Sequence, residues 1–231
     1  MLMSPQNLPE RINVVLEQVA QAAVAAGRNA RSVTLLAVGK AQPPQMLAAA
    51  ARSGLHHFGE SYLQEALQKI AALQELPLTW HFIGQLQTNK TRAIAENFAW
   101  VHALDRLKIA QRLSTQRPFH APPLNVCLQV NLAAESTKGG VATAELPALA
   151  AAVAALPRLK LRGLMCIPPQ EADPARQRAW FAQLRALQEQ LNASGLGLDT
   201  LSMGMSADFQ AAIAAGSTMV RLGTALFGAR P

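Results

Sequence analysis

Two hydrophobic periods alternate along this chain. In residues 8–26, Leu8, Ile12, Val15, Leu16 and Val19 recur at helical spacing. Asn7 and Glu10 resemble a capping box at the start of this segment, and Gly27 closes it. A different pattern follows at 33–38, VTLLAV, a short apolar run rich in β-branched residues. Such a run suits a strand buried on both faces. Seven more runs resemble it: HHFGE at 56–60, WHFIG at 80–84, WVHAL at 100–104, NVCLQVN at 125–131, RGLMCI at 162–167, TLSMG at 200–204 and TMVRLG at 218–223. Helical segments separate them, near 43–53, 61–75, 89–97, 106–116, 145–155, 174–194 and 207–215.

The helix starts carry local chemistry. Asp173 before Pro174 reads as an N-cap followed by proline at the first helical position. Thr88 and Asp105 stand where N-caps belong. In 174–194, Trp180, Phe181, Leu184, Leu187 and Leu191 form one apolar stripe. Eight strands alternating with helices imply parallel pairing through crossover helices. Closed on itself, the series predicts an α/β fold: a single (β/α)8 TIM-type barrel with an extra N-terminal helix. An open doubly wound sheet would want a glycine fingerprint after the first strand, and VGKAQPP is not one. No linker, repeat or low-complexity tract divides the chain, so residues 1–231 read as one domain.

Composition narrows the function classes. Of 231 residues, 50% are hydrophobic and 15% charged, which excludes a disordered chain. No apolar stretch is long enough to predict a membrane span, and the N-terminus has no signal-peptide pattern. Cys127 and Cys166 form no CxxC; both read as reduced strand residues packed in the core, and the protein as cytoplasmic. The net charge of +7 raises the possibility of a nucleic-acid partner. Its basic residues are scattered and it has only one tyrosine, so the expectation is a solvated basic surface with no nucleic-acid binding. A positive interior would also suit a small phosphate ester. His56, His57, His81, His102 and His120 show no metal-ligand spacing and read as core or rim histidines.

In such a barrel the site lies at the C-terminal ends of the strands. After the first strand comes Lys40. Burial there would favour its neutral amine, the form that attacks a carbonyl, while the alternative is a lysine neutralising a nearby carboxylate. After the second come Glu60 and Ser61, after the seventh Met203 to Ser206, and after the eighth Gly223 and Thr224. Ser206 reads as the start of a helix, and the two turns after the last strands suit a phosphate. Arg221, inside the last strand, is either a donor to a ligand or half of an ion pair with a carboxylate such as Glu60.

AVGKAQP around Lys40, FGESYLQE at 58–65, WHFIGQLQTNK at 80–90, LRGLMCIP at 161–168 and LSMGMSADFQAAIAAGSTMVRLGTALFGAR at 201–230 strongly resemble the pyridoxal phosphate homeostasis protein family (YggS/PROSC). The resemblance spans about residues 8–230. It implies a barrel related to the N-terminal domain of alanine racemase, holding pyridoxal 5'-phosphate (PLP) as an internal aldimine on Lys40. It also implies phosphate binding by Ser206, Gly223 and Thr224, and Arg221 facing the pyridine nitrogen, with Ser61 and Met203 completing the cofactor-side set. The chain departs from the family pattern at Gly39, Gln42, Ser61, Thr137-Lys138-Gly139-Gly140 and Ala207. The lysine usual at position 42 is absent, and Lys138 matches a lysine of the family's SKSG motif.

The function implied is binding of PLP to buffer or deliver it, affecting amino-acid and keto-acid balance, without turnover. Partners would be PLP and PLP-dependent apo-enzymes, and the protein would be a monomer with no catalytic residues and no metal. Two rivals remain at this stage. One is a PLP-dependent amino-acid racemase with Lys40 as a base. That reaction needs a second proton donor, whereas the only tyrosine is Tyr62 and the chain ends with the barrel. The other is a sugar-phosphate enzyme using a lysine Schiff base without a cofactor.

Overall fold

The computed structural model describes residues 7–135 and 139–228. Eight parallel strands form a closed barrel in sequence order: β1 (Thr34–Val38), β2 (His57–Glu60), β3 (Thr79–Phe82), β4 (Trp100–Leu104), β5 (Leu124–Gln129), β6 (Leu159–Met165), β7 (Thr200–Ser202) and β8 (Met219–Leu222). Closure comes from β1 against β8, with Leu36 opposite Arg221. Between the strands run α2 (Pro44–Arg52), α3 (Leu63–Ala72), α4 (Thr91–Asn97), α5 (Leu107–Gln116), α6 (Leu146–Ala154), α7 (Pro174–Ala193) and α8 (Phe209–Ala214). The predicted barrel is therefore the observed one. Sequence periodicity did not give the short α9 (Thr224–Phe227) that follows β8.

The N-terminal helix α1 (Leu8–Ala25) packs outside the barrel on α8, α9 and α2. It buries Leu8, Ile12, Val15, Val19 and Ala23, while Leu16 turns to solvent and leaves the expected stripe. Its capping box does not form. Asn7 has helical backbone angles (φ −95°, ψ 0°) instead of the extended ones a side-chain cap requires, and its side chain makes no cap bond. Asp173 does cap α7, accepting a 2.9 Å hydrogen bond from Ala175 N ahead of Pro174. Two other expected caps shift. Arg106 holds the N-cap position of α5 without a side-chain cap bond, its guanidinium bound to Asp105, and Thr88 opens a 3-10 turn (Thr88–Lys90) before α4. In α7, Phe181, Leu184 and Leu191 are buried as expected, and so is Gln188, whose amide donates to Thr200 O at 3.2 Å.

Two apolar layers form. The larger fills the space between sheet and helices. The smaller, Trp100, Ala103, Cys127 and Met165, lies apart from it. Polar side chains share the barrel interior: His102 on β4 is bonded to Ser202 on β7, strands that are not neighbours, so that bond crosses the barrel. Towards the N-terminal ends of the strands, Arg162 lies over Trp100 and pairs with Asp199 at 2.8 Å. Among the described residues, no helix is long and apolar enough to cross a membrane.

Candidate functional site

Parallel closure gathers every strand's C-terminal end on one rim. There a cavity of about 320 Å³ opens, within the ~300–1,000 Å³ range of small-molecule sites. Lys40, Ser61, Ser206, Arg221, Gly223 and Thr224 all line it, although they come from four separate strand ends. Met203 does not line it; it is fully buried in the core behind the loop. Lys138 lies outside the described residues.

The backbone around Lys40 is clamped from both sides. Lys69 Nζ donates to Gly39 O at 2.7 Å, and Ala41 N donates to Glu65 Oε1 at 2.7 Å. Ala41 is held at φ +61°, a left-handed conformation that strains a non-glycine residue by roughly 1–3 kcal/mol. Glycine at 39 makes room, because a Cβ there would lie 2.6 Å from Glu60 Oε1. Glu60 is fully buried and paired with Lys69 at 2.8 Å. Burial pushes its pKa up to about 7, against the opposing pull of Lys69 and, more weakly, Lys40. Its Oε2 has no hydrogen-bond partner among the described residues. Lys40 thus stands in the field of a buried carboxyl, as one of the two sequence readings anticipated.

A hydroxyl-lined turn after the last two strands, β8 being the neighbour of the strand that carries Lys40, lines the same cavity. Gly204 takes φ +95°, where a Cβ would meet Ala212 Cβ at 2.6 Å, and its carbonyl accepts from Arg221 N at 2.9 Å. Ser206 is not at the cap of α8, as its position suggested: Asp208 holds the N-cap position without a side-chain cap bond, its carboxylate accepting instead from Met205 N at 2.6 Å in the preceding loop. Ser206 Oγ instead accepts from Ala225 N at 3.2 Å, tying the loop after β7 to the start of α9. Thr224 is the first residue of α9; of the N–H groups that follow it, Ala225 is bound by Ser206 Oγ, and Leu226 and Phe227 donate to Gly223 O at 3.0 and 2.8 Å. The loops after the last two strands are joined into one anion-suited corner.

Arg221 lines the same cavity and is 5% exposed. It does not pair with Glu60. Nη1 donates to Ser202 O at 2.6 Å and Ser202 Oγ at 2.9 Å, and Nη2 to Cys166 O at 2.9 Å. Burial draws its pKa down, and Cys166 and Asp208 oppose that shift. Cys127 and Cys166 are free and buried; burial pushes both thiols up to about 12, so neither is a nucleophile. Among the described residues, no His, Cys, Asp or Glu cluster could hold a metal.

Sequence reasoning missed the clamp of Glu60, Glu65 and Lys69 and the histidines of the barrel interior. The clamp had a local signal in the i, i+4 pair Glu65 and Lys69. The histidines had one in the recurrence of His57, His81 and His102 in three successive strand runs.

A closed parallel barrel with an amine, a guanidinium and a hydroxyl-lined turn around one mouth defines a class: α/β barrels with a small-molecule-sized cavity at the strand ends. Residues 14–231 match the family described as alanine racemase, N-terminal domain. A pyridoxal phosphate homeostasis protein of Pseudomonas aeruginosa is 60% identical over 223 residues, covering 96% of both chains. The structure of PipY of Synechococcus elongatus with PLP bound superposes with a TM-score of 0.81 at 39% identity, covering 91% of this chain and 100% of that one. Alanine racemase of Corynebacterium glutamicum, at 21% identity and a TM-score of 0.66, shares the fold; the match covers 94% of this chain and 62% of the racemase. The chain belongs to the alanine racemase N-terminal domain family, among the pyridoxal phosphate homeostasis proteins.

Proposed function

We propose that this chain binds PLP at the barrel mouth and buffers it or hands it to PLP-dependent apo-enzymes, without turnover of its own. The observation that carries the reading is one cavity lined together by Lys40, Ser206, Gly223, Thr224 and Arg221. The donor set fits the group: an amine for the aldehyde, a hydroxyl-lined helix start for the phosphate, a guanidinium for the ring nitrogen. PipY, with PLP in the same fold, supports it.

Lys40 Nζ joins the aldehyde carbon with loss of water. Ser206 Oγ and the Gly223–Thr224 turn hold the phosphate. Ser61 lines the wall at the β2 end, and Met203, whose carbonyl accepts from Ser217 Oγ at 2.7 Å, anchors the loop that presents Ser206. When bound, PLP supplies an electron sink. Arg221 donates to the ring nitrogen but keeps its proton, which leaves that sink weak. Among the described residues lining the cavity, Lys40 and Arg221 are the ionisable ones, and they offer no second proton donor for racemisation. The reading includes a single domain over 1–231, a monomer, and a cytoplasmic protein, the last supported by two cysteines without a disulfide.

Borohydride reduction followed by peptide mapping tests the attachment. The label is expected on Lys40; a label wholly on Lys138 or another lysine overturns it. Amino-acid racemisation or transamination by the purified protein faster than about 1 s⁻¹, the lower end of ordinary enzymes, would overturn the non-catalytic part.

A further inference from the structure

Three imidazoles that the reading above does not use run in file through the barrel interior to Arg221. His57 Nδ1 lies 3.0 Å from His81 Nε2, and His81 Nδ1 lies 2.9 Å from His102 Nε2. His102 Nδ1 lies 2.8 Å from Ser202 Oγ, which accepts from Arg221 Nη1 at 2.9 Å. His81, His102 and Ser202 are fully buried; His57, the first residue of β2, is half-buried at the opposite end of the strands from the cavity. The file spans β2, β3, β4, β7 and β8.

Charge and donor arithmetic fix its state. His81 and His102 each use both ring nitrogens and His57 uses Nδ1, so each link needs one donor and one acceptor, which three neutral rings supply. Burial holds all three histidines below their ordinary range. His56 adds to this at His57, the neighbouring histidines at His81, and Arg221 at His102, which is brought to about 3. The direction follows from Arg221. A guanidinium only donates, so Ser202 Oγ must accept from it. If His102 also donated to that oxygen, the buried hydroxyl proton would lack an acceptor among the described residues, an arrangement costing about 1–3 kcal/mol. If Ser202 donates to His102 Nδ1 instead, every atom is satisfied. His102 then carries its proton on Nε2 and donates to His81, which carries its own on Nε2 and donates to His57.

We propose that Ser202, His102, His81 and His57 are positioning residues for Arg221: a one-way hydrogen-bond chain that keeps a hydroxyl lone pair on the guanidinium and so fixes its remaining N–H groups toward the ligand's ring nitrogen. The proposal rests on the reading of Arg221 as the donor to PLP. Its physical sense is that a buried cation needs compensation. A carboxylate partner would compete for the donor hydrogens. Aligned neutral dipoles, each polarising the next, stabilise the cation without adding a negative charge.

Two measurements on the full chain test it. Side-chain NMR of ¹⁵N-histidine-labelled protein without cofactor should find His57, His81 and His102 neutral and protonated on Nε2 at neutral pH. A His102 protonated on Nδ1, or a doubly protonated ring at His81 or His102, overturns the chain's direction. The second measurement compares affinity for PLP with affinity for its analogue bearing C–H in place of the ring nitrogen. Ser202→Ala and His102→Phe should each weaken PLP by about tenfold, the loss of one hydrogen bond to a charged group, and leave the analogue unchanged. His57→Asn, which offers an amide oxygen near the Nδ1 position, should keep the preference better than His57→Phe. Equal loss for both ligands marks general damage to the barrel and overturns the proposal, as does no loss for either. Should His102→Phe fail to fold, the smaller Ser202→Ala and the NMR of the unmutated chain still decide. If the unmutated chain binds neither ligand, the cofactor reading itself has failed, and the proposal falls with it.

Discussion

Lys69 holds the Lys40 turn through three oxygens: Gly39 O, Glu60 Oε1 and Glu65 Oε1. Removing a charge from such a buried pair strands its partner. Lys69→Met should lower unfolding free energy by about 3–5 kcal/mol in urea titrations at neutral pH. The pH dependence sharpens this. Glu60 has a folded-state pKa near 7, above its ordinary value of 4.5, so the folded chain binds more protons than the unfolded one between those values. Stability from this group is therefore present at low pH and lost as pH rises through about 7. Without Lys69 the carboxyl shifts further up, so the penalty of Lys69→Met should be smaller near pH 5 than near pH 8. A penalty independent of pH would mean that Glu60 does not carry the effect. Lys40 itself was legible at this scale, because a lysine just past an apolar strand has few destinations. Lys69 was not, because a lysine on a helix reads as a solvated face until its helix is docked.

At the scale of elements, the two loops after β7 and β8 act as one unit through Ser206 Oγ and Ala225 N. Removing both hydroxyls with Ser206→Ala and Thr224→Val should weaken PLP binding roughly tenfold or more, since a hydrogen bond to a charged group contributes about 1.5–3 kcal/mol. Loss of affinity for pyridoxal, which lacks the phosphate, with PLP binding unchanged would place the phosphate elsewhere. Helix caps give a paired check on the local reading. Asp173 makes its cap bond and Asn7 does not. Asp173→Ala should therefore cost about 1 kcal/mol, whereas Asn7→Ala should fall within about 0.5 kcal/mol of zero, the range of neutral surface substitutions. Thermal unfolding of the two variants separates them. Both sequences looked like caps, and only backbone angles distinguish them.

Across the whole molecule, the buried histidines make the fold acid-sensitive. His57, His81 and His102 have folded-state values below the ordinary 6.5, with His102 at about 3. The unfolded chain thus binds more protons below pH 6.5, and stability falls as pH drops from there toward 3. Glu60 and Asp208, both raised by burial, contribute slopes of opposite sign, but three imidazoles outnumber two carboxyls. Unfolding followed against pH should show net proton uptake below about pH 6, and His102→Phe should flatten that slope. A slope unchanged by that substitution would mean the ring is not held neutral by the fold. The sequence determined the alternation of strand and helix, the barrel closure it implies, and the strand ends at which Lys40, Ser206, Gly223 and Thr224 sit, because apolar periodicity is a local property and parallel strands share one functional rim. Tertiary structure alone decided which side chains meet across the barrel: that Glu60 turns outward to Lys69 instead of pairing with Arg221, that Ser206 serves α9 and not α8, and that three histidines on consecutive strands line up behind Ser202. Those contacts depend on the register and shear of a closed sheet, which no single strand's sequence contains.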